Sequence, residues 1–365
     1  MKCIHCLRDS KKSERIGGIC PGCQKPFAFE PTVGQPTDAA FKAALDRVSG
    51  QGKVRFTAEN VYFEMERHFG RKPGENPYYL AGCLMIPIAS VGGMLALVIG
   101  AWALLLSVVA VILMPMYLIA RKGKTVQLSE VTFDTWLGLW KGTHGLPTGL
   151  IEPRAALPSV ESVAAMRSEL EHYSFDRAVI CDRRETVDLL LANNFHFENN
   201  CAVLSIDGYP ASVFDLVRQM LKRNPKLHIF TLHDATLEGC AMAHRLATDP
   251  SWFVGQGPIF DIGLRPAHAE AFKGQWQEAF PQDRAASCPP GVTQEEYAWL
   301  RRYRLSLAAV RPEQVIKRLF RAISERKADS VALSKPDEST RVSHVDVVIF
   351  STDASTSDGG GDNFG

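Results

Sequence analysis

The chain has 365 residues and a formal net charge of +1, with 41 basic residues against 40 acidic ones, so overall charge does not select a partner. That length exceeds one ordinary domain and suits several compact units. Nine cysteines are present, and the clustering of four within the first 23 residues points to a metal site before disulfides.

Those four open the chain as two pairs, Cys3-Ile-His-Cys6 and Cys20-Pro-Gly-Cys23, separated by 13 residues. Zinc takes four soft or borderline ligands in a tetrahedron, and each CxxC turn supplies two thiolates from one tight loop. The spacing predicts a small structural zinc ribbon over residues 1–30, with Cys3, Cys6, Cys20 and Cys23 as ligands and His5 as a bystander. So short a segment cannot bury a useful core, so metal binding supplies its folding energy. A redox pair is the rival reading, but it needs a βαβ context that is absent here.

A proline-rich linker, residues 31–36, leads into a juxtamembrane segment over residues 37–75. Asp38 is placed to cap a helix over 39–48 that has Phe41, Leu45 and Val48 on one face. Lys53-Val-Arg-Phe-Thr57 reads as a short alternating strand, and Thr57 starts a second helix carrying Val61, Met65 and Phe69. Helix, strand and helix suit either a winged-helix-like unit or a plain amphipathic connector.

Asn76 to Ala120 is a run of 45 residues without Asp, Glu, Lys or Arg. About 20 apolar residues cross a bilayer as a helix, so the run predicts a two-helix transmembrane hairpin over residues 77–120. Its rival is a buried hairpin in a soluble domain. Arg67, Arg71 and Lys72 precede the run, and Arg121, Lys122 and Lys124 follow it. The positive flanks and the even number of spans place both termini in the cytoplasm of a multi-pass membrane protein, with the lipid bilayer as a partner. Residues 125–174 read as a linker region in which Trp136 and Trp140 share one helical face, at the interface or in a core.

Residues 175–350 read as an α/β domain with a central, mostly parallel sheet. Arg177–Cys181, Cys201–Ile206, Leu227–Leu232 and Ile259–Ile262 are apolar strands that alternate with helical runs. Ligands in such folds bind beyond the carboxyl ends of the strands, where Asp182, Asp207 and Asp234 stand. Three converging carboxylates suit a magnesium site, and a metal there can neutralise charge during phosphodiester transfer, with Asp182, Asp234 and Glu238 as the catalytic set. The plainer alternative is that each Asp forms a turn or a helix cap.

Asp182 past the first strand, His233-Asp234-Ala-Thr236-Leu-Glu238-Gly239 past the third and Asp261-Ile-Gly-Leu-Arg-Pro266 past the fourth together resemble the Toprim domain. The form they are most similar to is that of topoisomerase VI A subunits and their meiotic recombinase relatives. That resemblance implies a metal-binding acid on the first strand, where Asp182 replaces a glutamate, and a DxDxxG on the third, which Asp234 and Gly239 match. Thr236 stands at the second acid. Thr57-Ala-Glu-Asn-Val-Tyr62-Phe63 resembles the helix that carries the tyrosine pair in that subgroup, with phenylalanine at the second place. The resemblance implies a degenerate Toprim-like domain, more suited to binding or scaffolding than to strand cleavage.

From Thr293 to Lys327 the chain is helical in pattern, with nine Lys or Arg against four Glu. This face suits anionic lipid, nucleic acid or plain solvation. Residues 344–350 read as a last strand, and residues 351–365, rich in Ser, Asp and Gly, as a disordered tail. The functional expectation is a membrane-tethered adaptor that engages an unidentified protein partner through zinc ribbon and Toprim-like domain. Its alternatives are a magnesium-dependent phosphodiester enzyme and a nucleic-acid binder.

Overall fold

A computed structural model describes residues 1–30, 35–69, 128–152, 175–211, 214–224, 227–254, 257–272, 274–332 and 342–344. Packing divides the chain into two compact units, residues 1–65 with 134–365, and residues 66–133. Of the second, only 66–69, the end of one helix, and 128–133, the approach to and start of another, are described.

Helix α1 (Asp38–Val48) begins one residue earlier than its sequence suggests, because the Thr37 hydroxyl, and not Asp38, caps it by accepting the Ala40 N–H. The expected strand at 53–57 is reduced to a single bridge, in which Phe56 pairs with Leu150. Helix α2 (Ala58–Phe69) follows, and helix α3 (Glu130–His144) occupies part of the expected linker. Trp136 and Trp140 of α3 are both buried, so the core option holds for them. Trp140 lies 4.9 Å from the ring of Phe41 and 6.3 Å from that of Phe29, which closes an aromatic cluster between the cysteine ribbon and the helices.

The α/β part runs β1 (Arg177–Cys181), α4 (Arg184–Ala192), α5 (Phe195–Glu198), β2 (Cys201–Ser205), α6 (Phe214–Lys222), β3 (His228–Leu232), α7 (Leu237–Thr248) and β4 (Ile259–Asp261). A small antiparallel pair, β5 (Gln277–Glu278) and β6 (Tyr303–Arg304), encloses helices α8 (Pro281–Ala285) and α9 (Gln294–Leu300). Helix α10 (Pro312–Ala332) and strand β7 (Val342–His344) complete the order. The sheet is parallel throughout, in the order β2-β1-β3-β4-β7. Its four principal strands are nearly all buried because helices cover both faces. Ile180, Leu204 and Ile229 pack with Phe214, Leu221, Leu246 and Phe253 in one core.

Strand β1 pairs with both β2 and β3: the chain runs from β1 to β2 on one side and then crosses to β3 on the other, so the strand order reverses there. In an open parallel sheet that reversal opens a crevice at the carboxyl ends of the strands. Asp182 and Asp234 stand at those two ends.

The reading of the chain as an integral membrane protein is corrected. A crossing needs about 20 apolar residues in one helix, and among the described residues no helix is long and apolar enough to cross a membrane. The longest described helix, α10, has 21 residues, but Lys, Arg, Asp and Glu recur along it. The hairpin expected at 77–120 lies outside the described residues, as do the tail at 351–365 and the strand residues 345–350. The two-span localisation with cytoplasmic termini, the bilayer as a partner, and anionic lipid as the target of residues 293–327 rested on that hairpin and fall with it.

Candidate functional site

The cysteine cluster is built by two matching knuckles. In the first, the Cys3 N–H donates to the Arg8 carbonyl and the Leu7 N–H to the Cys3 carbonyl; in the second, Cys20 pairs with Lys25 and Gln24 with Cys20 in the same way. Leu7 and Gln24 both take φ of 59°, the left-handed turn that closes each loop. The sulfurs converge: Cys3 Sγ is 3.7 Å from Cys23 Sγ, Cys6 Sγ is 3.6 Å from Cys20 Sγ, and all four lie within 4.8 Å of one another. Zinc–sulfur bonds of about 2.3 Å in a tetrahedron give edges of about 3.8 Å, so the cluster fits zinc. The N–H groups of His5 and Gly22 point at Cys3 Sγ and Cys20 Sγ, at 3.4 Å each. Backbone N–H groups of Cys23 and Gly22 bring the Cys20 thiol down to about 6, favouring the thiolate that a metal binds. His5 stays outside the sulfur cluster, beside Lys25 and His144.

The ribbon is fastened to the helices by a buried carboxylate. Asp38 accepts the N–H groups of Ala28 and Phe29 at 3.0 and 3.1 Å, and its Oδ2 lies 2.7 Å from His144 Nε2 at the end of α3.

The second candidate site is the crevice at the strand ends. Asp182 Oδ2 accepts the Asp234 N–H at 2.7 Å, which draws the two acids together. Asp234 Oδ1 accepts the Leu307 N–H at 2.7 Å, and its Oδ2 accepts Arg183 Nη1 at 3.2 Å. Asp182 Oδ1 is buried with no hydrogen-bond partner among the described residues. Burial raises the pKa of both acids; for Asp182, burial and then the charge of Asp234 push it up to about 7. Asp234 accepts two hydrogen bonds that favour its charged form, whereas Asp182 accepts one, so burial acts on Asp182 with less opposition.

Arg183, directly after Asp182, bonds Glu59 of α2 with both terminal nitrogens, at 3.0 and 2.7 Å, and reaches Ser306 Oγ at 3.3 Å. Ser306 Oγ donates to Glu59 Oε1 at 2.8 Å. The segment 305–308 forms a strap over the crevice: Leu305 exchanges backbone hydrogen bonds with Ala235, and the Ala308 carbonyl accepts Asn60 Nδ2. A small recess bounded by Glu59, Arg183, Glu185, Asp234 and Leu307 opens beside it.

Behind the pair lies a sealed ion cluster. His233 Nδ1 faces the Asp234 carbonyl and its Nε2 faces Asp261 Oδ1, both at 2.8 Å. Each neighbour is an acceptor, so both ring nitrogens donate and the ring is an imidazolium. Burial alone would lower the pKa of His233, but the Asp261 charge more than reverses this. Asp261, despite burial, is held well below the ordinary carboxylate range by His233 and Arg265. Arg265 bonds Asp261 at 2.6 and 2.8 Å and Glu296 at 2.9 and 3.1 Å. The backbone presses on this ring: a Cβ on Gly263 would sit 2.4 Å from His233 Cδ2, and one on Gly239 would sit 2.5 Å from the Asp234 carbonyl.

Of the acids singled out in the sequence, Asp182 and Asp234 meet. Asp207 is exposed in the turn after edge strand β2, where its N–H donates to Ser205 Oγ, and Glu238 is exposed on the first turn of α7. Neither joins the pair, and among the described residues the four cysteines are the only cluster of three or more metal-ligating side chains. Arg183, Glu59, Ser306 and His233 carry the geometry without having been assigned roles from sequence. The one signal for them is the basic residue adjoining an acid at a strand end. Tyr62 and Phe63 are both buried, their rings 5.1 Å apart. Several basic residues of 293–327 are engaged within the fold: Arg311 bonds Glu64, Lys317 pairs with Glu313, and Arg301 donates to the Arg284 carbonyl.

No protein-family model matches the chain, and no curated protein or solved structure matches it.

Proposed function

We propose that the chain is a zinc-stapled binding or scaffolding module built on a Toprim-like domain whose strand-end acids serve internal ion pairs and not phosphodiester chemistry. The Toprim-like reading rests on the order of the motifs, and it gains support from the adjacency of β1 and β3, which brings Asp182 to Asp234. Thr236, at the place of a second acid, uses its hydroxyl to cap α7 by accepting the Gly239 N–H. Zinc at Cys3, Cys6, Cys20 and Cys23 would hold the ribbon against α1 and α3, a structural role, since four protein ligands leave no open position.

One observation carries the functional reading: both oxygens of Asp234 already accept hydrogen bonds, one from the strap and one from a guanidinium. A divalent cation would have to bind beside the Arg183 guanidinium that already balances the charge of Asp234. A second reading, metal-dependent phosphodiester cleavage, draws on the unpartnered Asp182 Oδ1. Incubating the full-length protein with supercoiled plasmid and Mg²⁺ or Mn²⁺ separates the two. The binding-module reading expects intact plasmid. Metal-dependent nicking that Asp234→Asn abolishes would establish the second.

A further inference from the structure

The cysteine ribbon and the helices meet at one carboxylate, Asp38, at the start of α1. Its Oδ1 accepts the Phe29 N–H, and its Oδ2 lies between the Ala28 N–H and His144 Nε2. Asp38 is 0% exposed and the His144 side chain 7%, so water does not replace a departing donor unless the seam opens. Where residues 28 and 29 stand is set by the second knuckle. Ile19 bridges Pro26 across the turn, and the Phe27 N–H donates to the Gly18 carbonyl at 2.9 Å. The knuckle that holds Cys20 and Cys23 thus leads straight into the two N–H groups that Asp38 needs. On the other side of the seam His144 ends α3, its ring 4.5 Å from that of Trp140 and 5.5 Å from that of His5 in the first knuckle.

We propose that Asp38 couples zinc occupancy of the four cysteines to the seating of α3, so that the ribbon acts as a zinc-dependent clamp on the end of that helix. With zinc bound, the closed knuckle presents both N–H groups and Asp38 is satisfied from three directions. A ribbon this short has no core to keep it closed without metal, so zinc loss withdraws the Ala28 and Phe29 donors together. Asp38 then keeps His144 alone. A buried carboxylate short of partners is costly, and the last turns of α3 loosen to let water reach it. Such coupling is reciprocal: Asp38 and His144 strengthen zinc binding although neither is a ligand. This inference rests on the zinc-stapled reading, and it adds that the metal state of the ribbon is felt at a residue 106 positions beyond Asp38.

The test uses the full-length protein, with zinc affinity read by competition against a chromophoric chelator. Hydrogen exchange followed by mass spectrometry reads the amides of residues 136–144 with and without zinc, relative to strand β3. In the wild type, stripping zinc is expected to speed exchange at 136–144. Asp38→Asn keeps an acceptor for one N–H but turns a donor toward the other. It is expected to bind zinc about tenfold more weakly than the wild type, with exchange at 136–144 already fast and insensitive to chelator. His144→Ala leaves the ribbon and α1 unaltered, guarding against an Asp38 variant that fails to fold, and should also weaken zinc binding. Asp46→Asn, at the exposed pair with Lys42 on the same helix, should match the wild type. Unchanged zinc affinity in both seam variants, or wild-type exchange at 136–144 indifferent to zinc, overturns the coupling alone. A wild type that takes up no zinc overturns the zinc-stapled reading and the coupling together.

Discussion

Asp182→Asn removes the acid whose pKa is raised by burial and by the charge of Asp234. Asparagine keeps an oxygen for the Asp234 N–H, 2.7 Å away, and cannot titrate. Asp182 rises from its ordinary 3.8 to about 7 through burial and the Asp234 charge. Between those values the folded chain holds a proton that the unfolded chain has released. Stability therefore falls as pH rises through this window, and the loss is complete once pH exceeds about 7. At about 1.4 kcal/mol per pKa unit the loss is at most about 4 kcal/mol, less where solvent enters the recess. Urea unfolding followed by tryptophan fluorescence at pH 5, 6, 7 and 8 measures this. The wild type should lose stability between pH 5 and 8, and the variant should lose less, with the two curves diverging by about 1–3 kcal/mol over that range. The His233 imidazolium is also lost as pH rises through its raised pKa; Asp261 raises it in both proteins, and the Asp182 charge raises it in the wild type alone, so its contribution cancels only in part. Parallel curves would refute a raised pKa at Asp182.

Cys20→Ser should reduce zinc, measured by atomic absorption, from about one ion per chain to none, with a lower melting temperature than the zinc-loaded wild type. Arg265→Met leaves Asp261 and Glu296 short of their buried counter-ion and should cost about 3–5 kcal/mol in urea unfolding. Gly263→Ala drives a methyl into the His233 ring and should cost about 1–3 kcal/mol or more, whereas Gly138→Ala, where a Cβ meets nothing within 4 Å, should be neutral or stabilise α3; thermal melts of the two variants compare them directly.

What the sequence made legible was local. The four principal strands stand out as apolar runs bounded by polar residues, and the structure places strands at 177–181, 201–205, 228–232 and 259–261. The CxxC spacing likewise encodes the sulfur cluster, because each knuckle closes within six residues. What stayed hidden depends on long-range partners. Asp38 reads as a helix cap, but its carboxylate serves the ribbon backbone and a histidine 106 residues away. Arg183 looks like an ordinary charge until Glu59, 124 residues earlier, is placed against it. Asp207 shares the strand-end position of Asp182 and Asp234, but β2 is the sheet edge, on the far side of β1 from β3. Glu238 fits an acidic motif by spacing, but it falls on an exposed helix position. Hydropathy alone suggested a membrane protein, an expectation for which no helix among the described residues is long and apolar enough.

The central claim is that the Arg183 guanidinium, and not a metal, balances the charge of Asp234, whose other oxygen accepts the Leu307 N–H. Crystals grown in excess Mn²⁺, with anomalous data collected at the zinc and manganese edges, test it directly. The account predicts one zinc peak within the four sulfurs and no manganese peak beside Asp182 and Asp234, where Arg183 remains bonded to Glu59. A manganese peak ligated by both aspartates in the wild type, with Arg183 swung away, would contradict it.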